Sequence, residues 1–460
     1  MIRLFSFVRQ AAPCLLAALV AAGCSSFEPA RARREHTAAF TTNLARLAEG
    51  ELSKPLSLDD CIRIAMTNNY EVRKADLDRE LYRIGKNVAF TAFLPKVAAS
   101  AGYRAYARDP GITEKKFGDG SLDITMPIFM PSTWFLYAAA RHGYAAAGVA
   151  AHYVRQGIVL QTSVNYYNVL VQQETVEALE SQMEAARETA ERVQGLAGEG
   201  LVTAWEGDQA AFAAELREAE LNQARRRMTV LRGELLKDMG FSPAAKIELS
   251  GDTGETSMPA LTVEDMVLKA LEIHPELAVA DRQVVIHDHR VRQAFCDFLP
   301  VISIFSSGQW TGNDLAAQSA NWVSGLNAAW TLFDGLANVA RYKAARVERS
   351  QIRLERENTF LSIMVEVVAA EAAARDAAAT ARVLQRAYAV AAAKSADYDA
   401  KAREGLIPLS DALDARAVMD FAQVELVRSR YQERIAIAAL NLAMGAMLVP
   451  EQKDQEKAGK

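Results

Sequence analysis

Polar and apolar positions along this chain change period in a fixed order, helical, then alternating, then helical again, and the order occurs twice. Near residues 57 and 262 a capping signal opens an amphipathic helix: Ser57 stands three residues ahead of Asp60, and Thr262 three ahead of Asp265. The steps Leu94-Pro95 and Leu299-Pro300 close these helices, because proline disfavours helical backbone in the residue before it. The period then falls to two. Leu122, Ile124, Met126 and Ile128 share one face while Asp123, Thr125 and Pro127 share the other. In the second passage Leu326, Ala328, Trp330 and Leu332 alternate with Asn327, Ala329 and Thr331. The spacing also predicts strands over residues 97–107 and 301–309. Their connectors, Asp109-Pro110-Gly111 through Gly120 and Gly312-Asn313-Asp314 through Asn321, carry turn residues.

After the strands come two long proline-free stretches rich in Ala, Glu, Arg, Val and Leu, from residue 132 to 197 and from 336 to 403. At ~1.5 Å per residue, about 65 residues extend roughly 100 Å, far beyond an ordinary globular helix. Gly198-Glu199-Gly200 and Glu404-Gly405 interrupt the pattern, and Pro408 is suited to open a new helix. Return helices are predicted over residues 208–239 and 410–447.

The two passages are one design used twice. Leu56-Ser57-Leu58-Asp59-Asp60 corresponds to Leu261-Thr262-Val263-Glu264-Asp265, Phe93-Leu94-Pro95 to Phe298-Leu299-Pro300, and Gly200-Leu201-Val202 to Gly405-Leu406-Ile407, always 205 positions apart. Ala65 and Glu71 find Ala270 and Glu276 at the same interval. So long a period marks a duplicated half-molecule rather than a solenoid array. The expected divisions are a signal peptide over 1–23, a lipidated N-terminal linker over 24–55, a first repeat over 56–240 and a connecting linker over 241–260. A second repeat over 261–448 and a disordered tail over 449–460 complete the chain.

The first residues change the picture by placing the chain outside the cytoplasm. Arg3 and Arg9 precede a short apolar run, residues 11–20, which is too short to span a bilayer and reads as an export signal. It ends in Leu19-Val20-Ala21-Ala22-Gly23-Cys24-Ser25. Small residues before a cysteine here resemble a bacterial lipobox, with Cys24 as the lipidated residue, although Ala21 stands where leucine is commonest. The other reading is an ordinary signal peptide with an incidental cysteine. Ser25 resembles the residue that follows the cysteine of lipoproteins sorted to the outer membrane. Cys14 leaves with the signal, so Cys61 and Cys296 are isolated and form neither a disulfide framework nor a zinc motif.

A net charge of -5 offers no basic stripe for nucleic acid. Hydrophobic residues make up 50% of the chain, yet no later stretch is apolar enough for a transmembrane helix. A membrane crossing would therefore be a closed barrel, the other structure that satisfies its backbone in lipid. Four strands cannot close one, since about eight is the smallest useful number, whereas four from each of three protomers make twelve.

At this point the residues resemble the TolC-type outer-membrane efflux proteins, over about residues 55–448. The resemblance rests on the doubled opening helix at Leu56-Ser57-Leu58 and Leu261-Thr262-Val263, the doubled Phe-Leu-Pro, and the strand exit Leu332-Phe333-Asp334-Gly335. The tip segment from Gly405-Leu406-Ile407-Pro408 through Asp411-Ala412-Leu413-Asp414-Ala415 completes it. It implies a mainly α protein with a β-barrel portion, a TolC-like internally duplicated fold whose trimer forms a 12-stranded outer-membrane barrel and a long periplasmic α-helical barrel. It implies a passive channel subunit of a tripartite efflux or secretion system, docked on a periplasmic adaptor protein and an inner-membrane transporter.

Asp411 and Asp414 match aspartates of the family's periplasmic gate, and six such carboxylates near an axis would attract cations. Two acids in a helix's first turn, favoured by its dipole, are the plainer reading. Family members that tie this gate with a tyrosine and an arginine would carry them at Ala402 and Ile407, which cannot make those bonds. Gly200, Leu201, Val202, Gly405, Leu406 and Ile407 resemble adaptor-docking tips, and the same residues also serve as helix-turn chemistry. Trp310, Trp322, Trp330, Tyr103 and Tyr106 are expected on strands, either as interfacial belts or buried between protomers. His287-Asp288-His289 reads as a solvated polar stretch rather than a metal site, because residues two apart face different ways on a helix. No phosphate loop, nucleophile elbow or zinc-protease motif is present, so neither enzymatic activity nor a cofactor is proposed. The competing reading is a periplasmic coiled-coil lipoprotein scaffold without a pore.

Overall fold

The computed structural model describes residues 28–108, 111–251, 258–447 and 449. The signal segment, Cys24, Asp109-Pro110, residues 252–257 and the charged tail lie outside the described residues. Helix α1 (Pro29–Glu51) occupies most of the stretch read above as a linker. The first repeat then runs α2 (Leu58–Asn68), α3 (Tyr70–Thr91), β1 (Lys96–Ala105), β2 (Lys116–Phe129), α4 (Pro131–Gly198) and α5 (Ala204–Asp238). The second runs α6 (Val263–Ile273), α7 (Pro275–Cys296), β3 (Val301–Thr311), β4 (Ala320–Ala329), α8 (Ala337–Arg403) and α9 (Leu409–Ala443).

Helices α4 and α8 are unbroken over 68 and 67 residues. The opening helix of each repeat, expected to be one element, is two. Asn69 and His274 both adopt extended backbone (ψ 131° and 125°), ending one helix and capping the next. The Asn69 carboxamide oxygen accepts from the Glu71 and Val72 amides at 2.8 and 3.3 Å, and its Nδ2 donates to the Asp238 carbonyl at 2.8 Å. That last bond brings the end of α5 to the start of α3. The two shorter helices, 35 and 22 residues long, thus stack into one interrupted rod beside α4. Gly445, just past α9, lies as close to His274 as Gly240, just past α5, lies to Asn68. Helices α9 and α7 accordingly form a second interrupted rod between α4 and α8.

His274 fills the place of Asn69 less well. Its Nδ1 accepts from the Glu276 amide at 3.2 Å, but Nε2 is buried without a partner. Burial lowers its pKa below the ordinary 6.5, against a smaller upward pull from Glu276. The native state therefore favours the neutral imidazole more than the unfolded chain does. Its contribution is complete above pH ~6.5 and is lost as pH falls, because the unfolded chain takes up the proton first. Unfolding midpoints measured between pH 8 and 5 are expected to fall less steeply in His274→Asn than in the parent; parallel slopes would contradict this account.

A second layer packs on the rods. Leu56, Cys61 and Ile64 bury against Tyr166, Leu235, Leu236 and Met239, while Met266, Ala270 and Leu277 bury against Ile363, Val367, Leu440 and Met444. Each fully buried large side chain contributes about 1.5–3 kcal/mol. The Tyr166 hydroxyl donates to the Ser250 carbonyl, beside the parallel bridge between Leu56 and Leu249. Cys61 and Cys296 are buried free thiols, and burial pushes Cys61 up to about 12, so it stays protonated and inert.

The four strands form one antiparallel sheet in the order β1-β2-β3-β4, the β2–β3 pairing joining the two repeats. Strand β2 starts earlier than the connector reading allows, taking in Gly118 and Gly120. Gly120 is a strand residue because the Trp310 ring lies over it, where a Cβ would come within 2.3 Å of the indole. Gly308 lies under Trp322 in the same way, with 2.2 Å available. Strand β4 stops at Ala329, which leaves Trp330 and Leu332 beyond it, and Tyr106 lies just past β1.

Candidate functional site

The register separates the sheet into two chemically different faces. Ser100 pairs with Ser121, which pairs with Gln309, and Asp123 pairs with Ser307, so these polar residues share one face. On it the Ser100 and Ser121 hydroxyls lie 2.9 Å apart, Ser121 and Ser307 each donate to Asp123 at 2.6 Å, and Arg104 meets Asp119 at 3.1 Å. The other face carries Val97, Leu122, Ile124, Met126, Ile304 and Leu326, matched across the strands by the pairs Val97–Ile124, Met126–Ile304 and Ile304–Leu326. Tyr103, Trp310 and Trp322 stand on this apolar face at one end of the sheet. Trp330, whose indole N–H donates to the Phe298 carbonyl at 3.0 Å, stands at the other end. Along β3, the nine steps from Trp310 to Val301 cover about 30 Å at ~3.3 Å each, or about 23 Å along the axis of a barrel tilted by ~40°. That is the height of the apolar band of an outer-membrane barrel, about 25 Å.

At the far end of the long helices, two tight turns expose the predicted tip residues. Gly200 (φ +73°) and Gly405 (φ +72°) follow the helix ends in left-handed conformation. The Leu201 amide reaches back to the Leu196 carbonyl and the Leu406 amide to that of Lys401, each at 2.9 Å. Leu201 and Leu406 each remain 68% exposed, while Val202 and Ile407 are half-buried. The turns then differ. Thr203 opens α5 with a capping box, its amide and hydroxyl donating to Glu206 at 2.7 and 2.8 Å, which holds Glu206 below the usual carboxylate range. Pro408 opens α9 at the equivalent position and has no N–H to offer Asp411, the counterpart of Glu206.

Asp411 and Asp414 are exposed on the first turns of α9. Asp414 lines a groove where α4, α5 and α9 meet, together with Arg217, Arg416 and Asp420. Burial raises the pKa of Asp420 while Arg416 pulls it the other way. Sequence reading passed over Asp420 and Arg217. The available signal was the stripe Leu413, Ala417, Asp420, at helical spacing on one face of α9.

The His287-Asp288-His289 stretch is not solvated, contrary to the sequence expectation. Helix α7 lies between α4 and α8, so its polar residues meet neighbours on both sides. Asp288 contacts Arg349 and Arg353 at 3.4 Å, and His289 stacks on His142 with ring centroids 5.6 Å apart.

The sequence profile of the family described as Outer membrane efflux protein matches residues 61–240 and 267–446. No curated protein matches the chain in sequence. Among solved structures, it is similar to the Campylobacter jejuni CmeC outer membrane channel, with 19% identity, 88% of this chain and 89% of that one covered and a TM-score of 0.70. It is also similar to the open state of the Neisseria gonorrhoeae MtrE outer membrane channel, with 17% identity, coverage of 85% and 89% and a TM-score of 0.71. A third similarity is to the outer membrane protein VceC of Vibrio cholerae, with 18% identity, coverage of 84% and 96% and a TM-score of 0.69.

Proposed function

The chain belongs to the outer membrane efflux protein family, and on that premise we propose that three copies close a twelve-stranded barrel over a helical tunnel. This tunnel passively conducts cargo from an inner-membrane transporter, reached through a periplasmic adaptor protein, to the cell exterior. One observation carries the reading: the sheet has one mainly apolar face, interrupted by the Ser306–Ser324 pair, one mainly polar face, and two edges, β1 and β4, that pair on one side only among the described residues. Joining β1 of one copy to β4 of the next removes every edge, places the apolar face against lipid and turns the polar face to water. The rods repeat the logic. Leu77, Leu81, Phe212 and Leu216 are exposed on α3 and α5 at one side of the helical layer, and Leu354, Leu361 and Val383 on α8 at the other. Exposed apolar rows at opposite margins suit closure of copy on copy.

In this arrangement Leu201, Val202, Leu406 and Ile407, set on the turns of Gly200 and Gly405, form the adaptor-facing tips, and Asp411 with Asp414 forms an acidic aperture above them. Closure does not use a tyrosine or an arginine at positions 402 and 407. A lipid on Cys24 would add a second, weaker hold on the outer membrane, since one acyl chain alone binds reversibly. Energy comes from the transporter, and the subunit opens and conducts.

The test is single-channel conductance of the purified trimer in a planar bilayer. Small conductance, blocked by divalent or trivalent cations from the helical-tip side, is expected. Asp411→Ala/Asp414→Ala is expected to weaken that block at least about tenfold, the equivalent of ~1.4 kcal/mol, with trimers intact. Unchanged block in the double variant would remove the gate assignment. A verified trimer that lacks both conductance and heat-modifiable barrel behaviour in mild detergent would return the scaffold reading.

A further inference from the structure

Between α3, α4 and α7, near the sheet, lies a groove of about 570 Å³. Its floor is a row of small residues on α4 that includes Ala140, Gly143 and Ala147, and its apolar sides include Tyr82, Leu136 and Ile286. Two cations, Lys86 and Arg290, sit on its opposite walls, and no carboxylate lines it. Neither cation is in an ion pair among the described residues. Lys86 lies 5.2 Å from the centre of the Tyr144 ring, and Arg290 contacts the His287 imidazole at 3.2 Å. Gln283 and Gln293 supply further hydrogen-bonding groups. The volume falls in the range of small-molecule sites, about 300–1,000 Å³. An apolar trough between two cations without carboxylate partners matches a ligand with an apolar body and an anionic end.

The groove also has a side. Continued at helical period, the floor row 140, 143, 147 and 150 passes 154, 157, 161 and 164. Helix α2 packs on α4 through Val159, and the residues around Leu56 through Tyr166, half a turn away. On the channel reading that added layer stands outside the ring, because inside it would fill the bore, and the groove then faces the bore. We propose that this groove is a binding site on the tunnel wall for small amphipathic anions, such as aryl or alkyl carboxylates and sulfonates. Its placement in the bore rests on the channel reading, whereas the binding itself does not.

The test uses the full chain in lipid nanodiscs, titrated calorimetrically with 2-naphthalenesulfonate and separately with a naphthyltrimethylammonium cation of similar size. The sulfonate is expected to bind saturably, once per chain, and at least about tenfold more tightly than the cation. Lys86→Gln/Arg290→Gln should weaken the sulfonate at least about tenfold, and Ala140→Phe, which fills the trough, should abolish it. Both variants are checked for parental helix content and oligomeric state. Equal binding of the two probes, or sulfonate affinity unchanged in the double variant, would overturn the assignment. Conductance of the same preparations separates the two readings. A normally conducting channel that does not bind sulfonate defeats the groove alone, and a chain that binds but never conducts defeats the channel while the groove stands.

Discussion

Leu326→Arg is expected to leave the helical layer folded and to prevent the protein from entering the outer membrane. Leu326 lies on the apolar face of β4, paired with Ile304, midway between Trp322 at one end and Trp330 at the other. A lipid-facing arginine at the bilayer midplane costs about 2–4 kcal/mol, so three copies in the proposed barrel would accumulate about 6–12 kcal/mol. The neighbouring Asn327→Arg places the same charge on the polar face beside Ser303 and should be tolerated. Outer-membrane fractionation and heat-modifiable trimer bands read the difference. Equal insertion of the two variants would mean that the sheet does not meet lipid, and failure of Asn327→Arg alone would mean that the faces are assigned the wrong way round.

Gly240→Val should be the most damaging single change in the helical layer. Gly240 has φ +74°, and a Cβ there would lie 2.7 Å from the Asn68 carbonyl oxygen. Left-handed backbone costs an L-residue about 1–2 kcal/mol. Relief of the clash would move Asn68 and with it the Asn69–Asp238 bond that joins α5 to α3. The sum is about 3–5 kcal/mol, in the range of core disruptions. Gly200→Val provides the comparison, with φ +73° and nothing within 4 Å of the added Cβ. It should lose only the backbone part, about 1–2 kcal/mol. Thermal unfolding followed by circular dichroism measures both, and equal losses would show that the rod junction contributes little.

Whatever depends on period was legible in the sequence. The duplication, the alternating faces of Leu122–Asp123 and Leu326–Asn327, and the two long rods follow from spacing alone. So do the turns at Gly200 and Gly405, where glycine meets the end of a helical pattern. The breaks at Asn69 and His274 were signalled locally, by a capping asparagine and by Pro275, but were masked by the helical pattern on either side. Other features had no local signal. The cover of Trp310 over Gly120 crosses between strands of different repeats, so nothing near Gly120 marks it as a strand residue. The stacking of His289 on His142 and the burial of Asp420 depend on helices far away in the chain, and periodicity cannot report a neighbour it does not contain.

The Thr203–Glu206 box and the Pro408–Asp411 opening are related by the duplication yet chemically unlike. In the proposed three-copy ring each copy would bring one turn of each kind to the tip. A partner arranged around that ring would meet six contact points of two alternating kinds, three opened by the Thr203–Glu206 box and three by Pro408. Six identical partner subunits would then face two different surfaces. On the proposed assembly the two kinds of point are expected to be filled with unequal affinity, which a partner titration would read as two steps of three.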